Sequence, residues 1–202
     1  MKPISINSLI LLSAIILFQG MANPSFAKSL YTDVRAGSDL ETYVTLLSER
    51  KIIEGYPDGT FKPEQTINRA EALKIIFLAS DTVFDPELVK WDQLKFPDVI
   101  KGEWYAPYVG FAFEKGIISG YPDGTFKPEQ TVNRMEFVKM AMTAQSYYSS
   151  RPSYAEFNFD DYEDEAWYLP YVEFGIEEGL IPNRSELQPS KLMMRQDAAE
   201  IV

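Results

Sequence analysis

The sequence predicts a mainly α-helical fold in which one helix-loop-helix unit is written three times. Three observations carry that reading. Residues 55–66 and 120–131 share the same twelve letters, GYPDGTFKPEQT, at an offset of 65. A third, diverged copy follows at an offset of 63 that falls to 61. The second helix of the unit is apolar nearly all round, which marks a buried helix; one unit buries too little alone, so the copies must pack on each other.

Composition narrows the chemistry. The chain has 202 residues and no Cys or His, which removes disulfides, thiol nucleophiles, Ser-His-Asp triads and His-ligated zinc. A net charge of −11 speaks against nucleic acid as a partner, because phosphate contacts need clustered Lys and Arg. The 46% hydrophobic fraction is that of a packed globular protein.

Residues 1–27 read as a secretory signal peptide. Lys2 makes a basic start, residues 9–18 (LILLSAIILF) form an apolar run, and Ser25-Phe26-Ala27 sets small residues where a signal peptidase inspects them. A spanning helix needs roughly 20 apolar residues, so cleavage after Ala27 and export without a membrane span are expected. The missing cysteines exclude a lipid-anchored lipoprotein. Three repeats then follow, over 28–84, 93–148 and 156–202, the last diverged and shortened.

Each repeat has the same grammar. An Asp-containing lead-in comes first: Tyr31-Thr32-Asp33-Val34, Phe96-Pro97-Asp98-Val99 and Phe159-Asp160-Asp161. A first helix is predicted over 40–50, 104–115 and 167–178, with Tyr43, Val44 and Leu47, or Tyr108, Val109, Ala112 and Phe113, at helical spacing. The loop after it turns at Pro57-Asp58-Gly59 and Pro122-Asp123-Gly124, where Pro presets φ and Gly accepts a positive one. Phe61 and Phe126 are expected to pin this loop to the core. The second helix is predicted over 69–79 and 134–147. Asn68 with Glu71, and Asn133 with Glu136, have the spacing of a capping box. Glu71 with Lys74, and Glu136 with Lys139, stand at i,i+3 and are expected to pair.

The third copy breaks several of these rules. Its loop, 181–189 (IPNRSELQP), lacks both the Pro-Asp-Gly turn and the Phe anchor. Met194 cannot cap with a side-chain oxygen, and Glu200 stands where the other copies have Lys. The unit is therefore expected to be the least stable, with a second helix of roughly two turns.

This pattern resembles the S-layer homology family. The lead-in Phe96-Pro97-Asp98-Val99, the aromatic Trp104, the stretch 116–128 and the helix starts Asn68-Arg69-Ala70-Glu71 and Asn133-Arg134-Met135-Glu136 stand as that family's hallmarks do. The resemblance covers essentially all of 31–202. It implies a pseudo-three-fold assembly around a central helical bundle. It also implies grooves between repeats that bind an anionic cell-wall polysaccharide, often one carrying pyruvate ketals, and so anchor exported proteins to the envelope.

Candidate glycan-binding residues follow. The capping box leaves Arg69, Arg134 and Arg195 unexplained, since a first-turn cation opposes the helix dipole by roughly 0.3–1 kcal/mol. An anion there would meet free N–H groups and a guanidinium that takes carboxylates bidentately. The structural alternative is a bridge from Arg to Asp33 or Asp98; the resemblance favours ligand contact and brings in Asp98, Glu71 and Glu136. Trp104 and Trp167, with Tyr105 and Tyr168, offer stacking faces for sugar rings or else pack in the core. Tyr56 and Tyr121 are open to the same two readings. Arg134 is expected to be the strongest contact, because its copy keeps every motif, whereas Asp39 occupies the Trp position of the first copy.

No catalytic residue, cofactor or metal is expected. Each Asp-Gly turn brings one carboxylate, too few for calcium, and the acidic run 160–165 reads as a solvated lead-in. A glycosidase using paired carboxylates is set aside because the repeats consume the mature chain. The expected partners are cell-wall polysaccharide and other S-layer or envelope proteins, at the cell surface or in the cell wall. A lattice-assembly module without glycan binding is the alternative.

Overall fold

The structure is a computed structural model that describes residues 29–80, 84–145, 159–163, 165–177, 181 and 186–202. The signal peptide and part of the third loop lie outside the described residues. Six α-helices follow in order: α1 (Asp39–Glu49), α2 (Arg69–Ala79), α3 (Ala106–Glu114), α4 (Arg134–Ala144), α5 (Leu169–Glu177) and α6 (Arg195–Ile201). A 3₁₀ turn, Pro86–Leu88, precedes α3. The described residues contain no strand, only isolated bridges, so the mainly helical class holds. None of these helices is long and apolar enough to cross a membrane.

Helices α3 and α5 begin two residues later than the sequence predicts. In α3 the start is set by Pro107 in the first turn, where its missing N–H costs nothing. Trp104 and Tyr105 therefore precede the helix. Helix α4 ends at Ala144, with Gln145 as its C-cap, rather than reaching residue 147.

The loops are held by an aspartate clamp. Asp98 accepts the N–H of Phe126 at 2.9 Å and of Lys127 at 2.6 Å, one on each carboxylate oxygen. Asp33 does the same for Phe61 and Lys62, both at 2.7 Å. Asp161 does it for Leu187 and Gln188, both at 2.7 Å. The clamp holds Lys62, Lys127 and Gln188 at φ 56°, 59° and 54°, a left-handed conformation that side chains with a Cβ rarely adopt. Phe61 and Phe126 lie fully buried beneath it, as expected. In the third unit Leu187 takes that place at 1% exposure, so the anchor missing as Phe survives as Leu. Asp161, expected to be solvated, is instead structural.

The exposed Asp123 turn is locally satisfied. The Thr125 hydroxyl and N–H, with help from Lys127, hold the Asp123 carboxyl down at about 2. A depressed carboxylate stabilises above its ordinary value and loses that contribution as pH falls, so this turn persists until pH approaches about 2.

Three short segments heading α2, α4 and α6 meet in a closed ring of backbone hydrogen bonds. Ile67 N–H donates to Met193 O at 3.0 Å, Met193 N–H to Val132 O at 2.9 Å, and Val132 N–H to Ile67 O at 3.2 Å. Beyond the ring, α2 packs on α3, α4 on α5, α6 back on α1, and α2 touches α4. One core joins the first two units with Met193, Ala198 and Ala199 of the third. The other joins the third unit to Met135, Val138 and Met142 of α4. No unit owns its core, so thermal unfolding of residues 28–202 is expected to give one cooperative transition, whereas three separable transitions by calorimetry would contradict the shared packing.

Candidate functional site

The capping boxes form as the spacing predicts. Asn68 Oδ1 accepts Glu71 N–H at 2.8 Å while Glu71 accepts Asn68 N–H at 2.9 Å; Asn133 and Glu136 do likewise, both at 2.9 Å. Met194 makes no side-chain cap, yet Asp197 still accepts the Met194 N–H at 3.2 Å.

The N–H groups expected to meet an anion at these helix starts are already taken. The first two N–H groups of each helix donate to the neighbouring unit. Arg69 and Ala70 donate to Gln130 O and Pro128 O, Arg134 and Met135 to Lys191 O and Pro189 O, and Arg195 and Gln196 to Gln65 O and Pro63 O. In α2 and α4 the third N–H goes to the Asn cap. What the arginines have to offer is their guanidinium.

The guanidinium groups of Arg69 and Arg195 are buried between units. Arg69, 8% exposed, donates from Nε to Phe126 O at 3.0 Å and packs against the Tyr121 and Phe126 rings, both centroids 4.9 Å away. Its ion-pair partner is Glu136, at 3.7 Å, not Asp98 or Asp33. Arg195 donates from Nε to Phe61 O and from an Nη to Glu54 O, both at 2.7 Å, and lies over Phe61 and Tyr56. Arg69 therefore reaches the loop of the second unit, and Arg195 reaches that of the first.

Two grooves result. The larger, about 380 Å³, has the 116–121 loop as its floor. Arg69 of the first unit lines one side, Glu136 and Lys139 of the second another, and Trp167 and Tyr171 of the third a third. The other, about 290 Å³, repeats the plan with the 51–55 loop, Arg195, Glu71, Lys74 and Trp104. Both volumes are at the lower end of the range for small-molecule sites. Trp104 and Trp167 are 48% and 51% exposed, which rules out core packing for their indoles. Lys74 Nζ stands 5.8 Å from the Trp104 ring and Lys139 Nζ 5.3 Å from the Trp167 ring. The expected i,i+3 ion pairs of these lysines with Glu71 and Glu136 are absent among the described residues: the carboxylates turn to the caps and to Arg69, and the lysines to the indoles.

Of the candidates, Arg69, Arg195, Trp104, Trp167, Glu71 and Glu136 come together in these two grooves. Asp98 does not line either; it holds a loop. Tyr105 and Tyr168 are buried, at 6% and 7%, and expose no stacking face. Tyr121 lines the larger groove. Lys74 and Lys139 are groove residues that the sequence does not single out; their signal there is a shared offset of 65, which i,i+3 pairing with Glu71 and Glu136 already accounts for.

A third groove would need Arg134, whose N–H meets Lys191 O at 2.8 Å. At the positions equivalent to Trp104 and Lys74, however, it would carry Asp39 and Glu200. Motifs complete within one copy do not make a complete groove, because Arg, loop and Trp come from three different copies.

The S-layer homology domain family matches residues 30–73 and 95–138. The S-layer homology match thus covers the first and second units as far as the start of each second helix. Cell surface glycoprotein 1 of Acetivibrio thermocellus is 38% identical over 95 residues, which is 46% of this chain and 4% of that protein. The cellulosome-anchoring protein of the same organism is 29% identical over 154 residues, 74% of this chain and 33% of that protein. An S-layer protein of Bacillus licheniformis is 28% identical over 189 residues, 91% of this chain and 20% of that protein. The chain spans a third or less of each of these relatives.

Proposed function

We propose that all three units form one pseudo-three-fold S-layer homology module. It is a non-catalytic, exported anchor that holds its protein at the cell surface by binding an anionic, pyruvylated cell-wall polysaccharide. The observation that carries this reading is the groove written twice. Each copy sets an exposed tryptophan, a lysine over its face and a buried arginine around one loop. Indoles stack on sugar rings, and the lysine and guanidinium take a ketal carboxylate. The relatives named as surface and anchoring proteins support the location.

Arg69 and Arg195, rather than Arg134, are the arginine contacts in this reading, with Trp167 and Trp104 opposite them. Asp39 and Glu200 would repel an anion from a third groove. Binding must come from local pockets, because a chain of −11 repels an anionic polymer over the roughly 8 Å of physiological screening.

Titration calorimetry of residues 28–202 against purified wall-polymer fragments tests this. The expected stoichiometry is two fragments per chain. Trp104→Ala combined with Trp167→Ala should weaken both sites by at least about tenfold each. No heat of binding, together with self-association of the unliganded chain, would favour the lattice alternative.

A further inference from the structure

The second unit carries a strap that has no counterpart among the described residues of the first. Residues 84–94 run from the end of α2 across the outer face of α3. Phe84 stacks on Tyr108 with centroids 4.5 Å apart and meets Phe111 edge-on at 5.4 Å. Val89, 5% exposed, lies so close to Gly110 that an added Cβ would strike its Cγ1. Lys90 Nζ closes the contact on Glu114 at 2.9 Å.

Helix α1 presents the same face without a cover among the described residues. At the offset of 65, Tyr43 matches Tyr108, Leu46 matches Phe111, Thr45 matches Gly110 and Glu49 matches Glu114. Tyr43 and Leu46 are 38% and 44% exposed. Glu49 is exposed and has no ion-pair partner among the described residues, where its counterpart Glu114 holds a lysine. Within the helix the charged residues are Asp39, Glu41 and Glu49, with Arg50 and Lys51 following its end, so the cation preference is local to Glu49.

We propose that this face of α1 docks an extended polypeptide segment of a partner protein. That segment has the chemistry of the strap: an aromatic residue, a small residue five positions on, and a lysine directly after it. The aromatic stacks on Tyr43 and covers Leu46. The small residue faces Thr45, whose side chain fills the space that Gly110 leaves for Val89. The lysine pairs with Glu49. The site is separate from both grooves and does not depend on polysaccharide binding.

A probe is at hand in the strap itself. A peptide of residues 84–95 bearing Val89→Ala, added to isotope-labelled chain 28–202, should give saturable amide shifts centred on Tyr43, Leu46 and Glu49. Glu49→Lys, a surface change, should weaken the peptide at least tenfold. A second peptide that also carries Lys90→Glu should bind the Glu49→Lys chain better than the first does. Absent or scattered shifts at millimolar peptide, or failure of the charge swap to restore binding, would overturn the proposal. So would concentration-dependent dimerisation through α1, which would make a second copy the occupant.

Discussion

Replacing Asp98 with alanine is expected to lower stability by about 2–3 kcal/mol. The carboxylate takes two backbone N–H groups, of Phe126 and Lys127, at 2.9 and 2.6 Å. Hydrogen bonds to a charged acceptor are worth about 1.5–3 kcal/mol each, and partial exposure of Asp98 brings the pair to or below the bottom of the summed range. The change also releases Lys127 from φ 59°, a conformation the clamp imposes against its preference. Phe126, fully buried, would lose the backbone that fixes it. Urea unfolding with linear extrapolation measures the effect. Asp123→Ala is the control: it removes a carboxylate from the same loop, but an exposed one that bonds only within its own turn, and should change stability much less than Asp98→Ala. Equal losses in the two variants would show that the clamp is not what holds the loop.

The clamp shows how far the sequence could be read. The aligned Asp33, Asp98 and Asp161 were visible, and so were the turns, caps and buried phenylalanines, because each obeys a local rule spanning at most a few residues. The role of the aspartates was not visible, since their partners lie 26 to 29 positions away. The same limit explains the arginines. Nothing within four residues of Arg69 accounts for it, and a ligand was the natural inference. Its neighbours Tyr121, Phe126 and Glu136 come from the next unit. Repeats read copy by copy hide sites that are assembled across copies. For that reason Arg134, with the best-preserved copy around it, looked like the best candidate, while the complete grooves belong to Arg69 and Arg195.

Arg195→Ala should then be the most consequential single substitution for both stability and binding. Its side chain joins the third unit to the first, donating to Phe61 O across 134 positions and to Glu54 O across 141, each at 2.7 Å. Losing it leaves two carbonyls without their charged donor, for a cost of about 2–4 kcal/mol. Helix α6 has little to offset that loss: it is seven residues long and starts at Met194, which supplies no side-chain cap. In the unmodified chain its amides are already expected to exchange with solvent before those of α4, which is eleven residues long and fully boxed. In Arg195→Ala they should exchange at close to the rate of an open helix, and the loop amides of Tyr56 and Phe61 should follow. If α6 kept the protection of α4 in both proteins, core contacts through Ala198 and Ala199 would be carrying the closure instead. The effect on binding should be equally local. The Arg195 groove would be lost and the Arg69 groove kept, so the polymer stoichiometry should fall from two to one with the affinity of the surviving site unchanged. Arg134→Ala should leave the stoichiometry at two, because the positions that would complete its groove hold Asp39 and Glu200. A drop in stoichiometry on Arg134→Ala would place a working site where two carboxylates should keep an anion out.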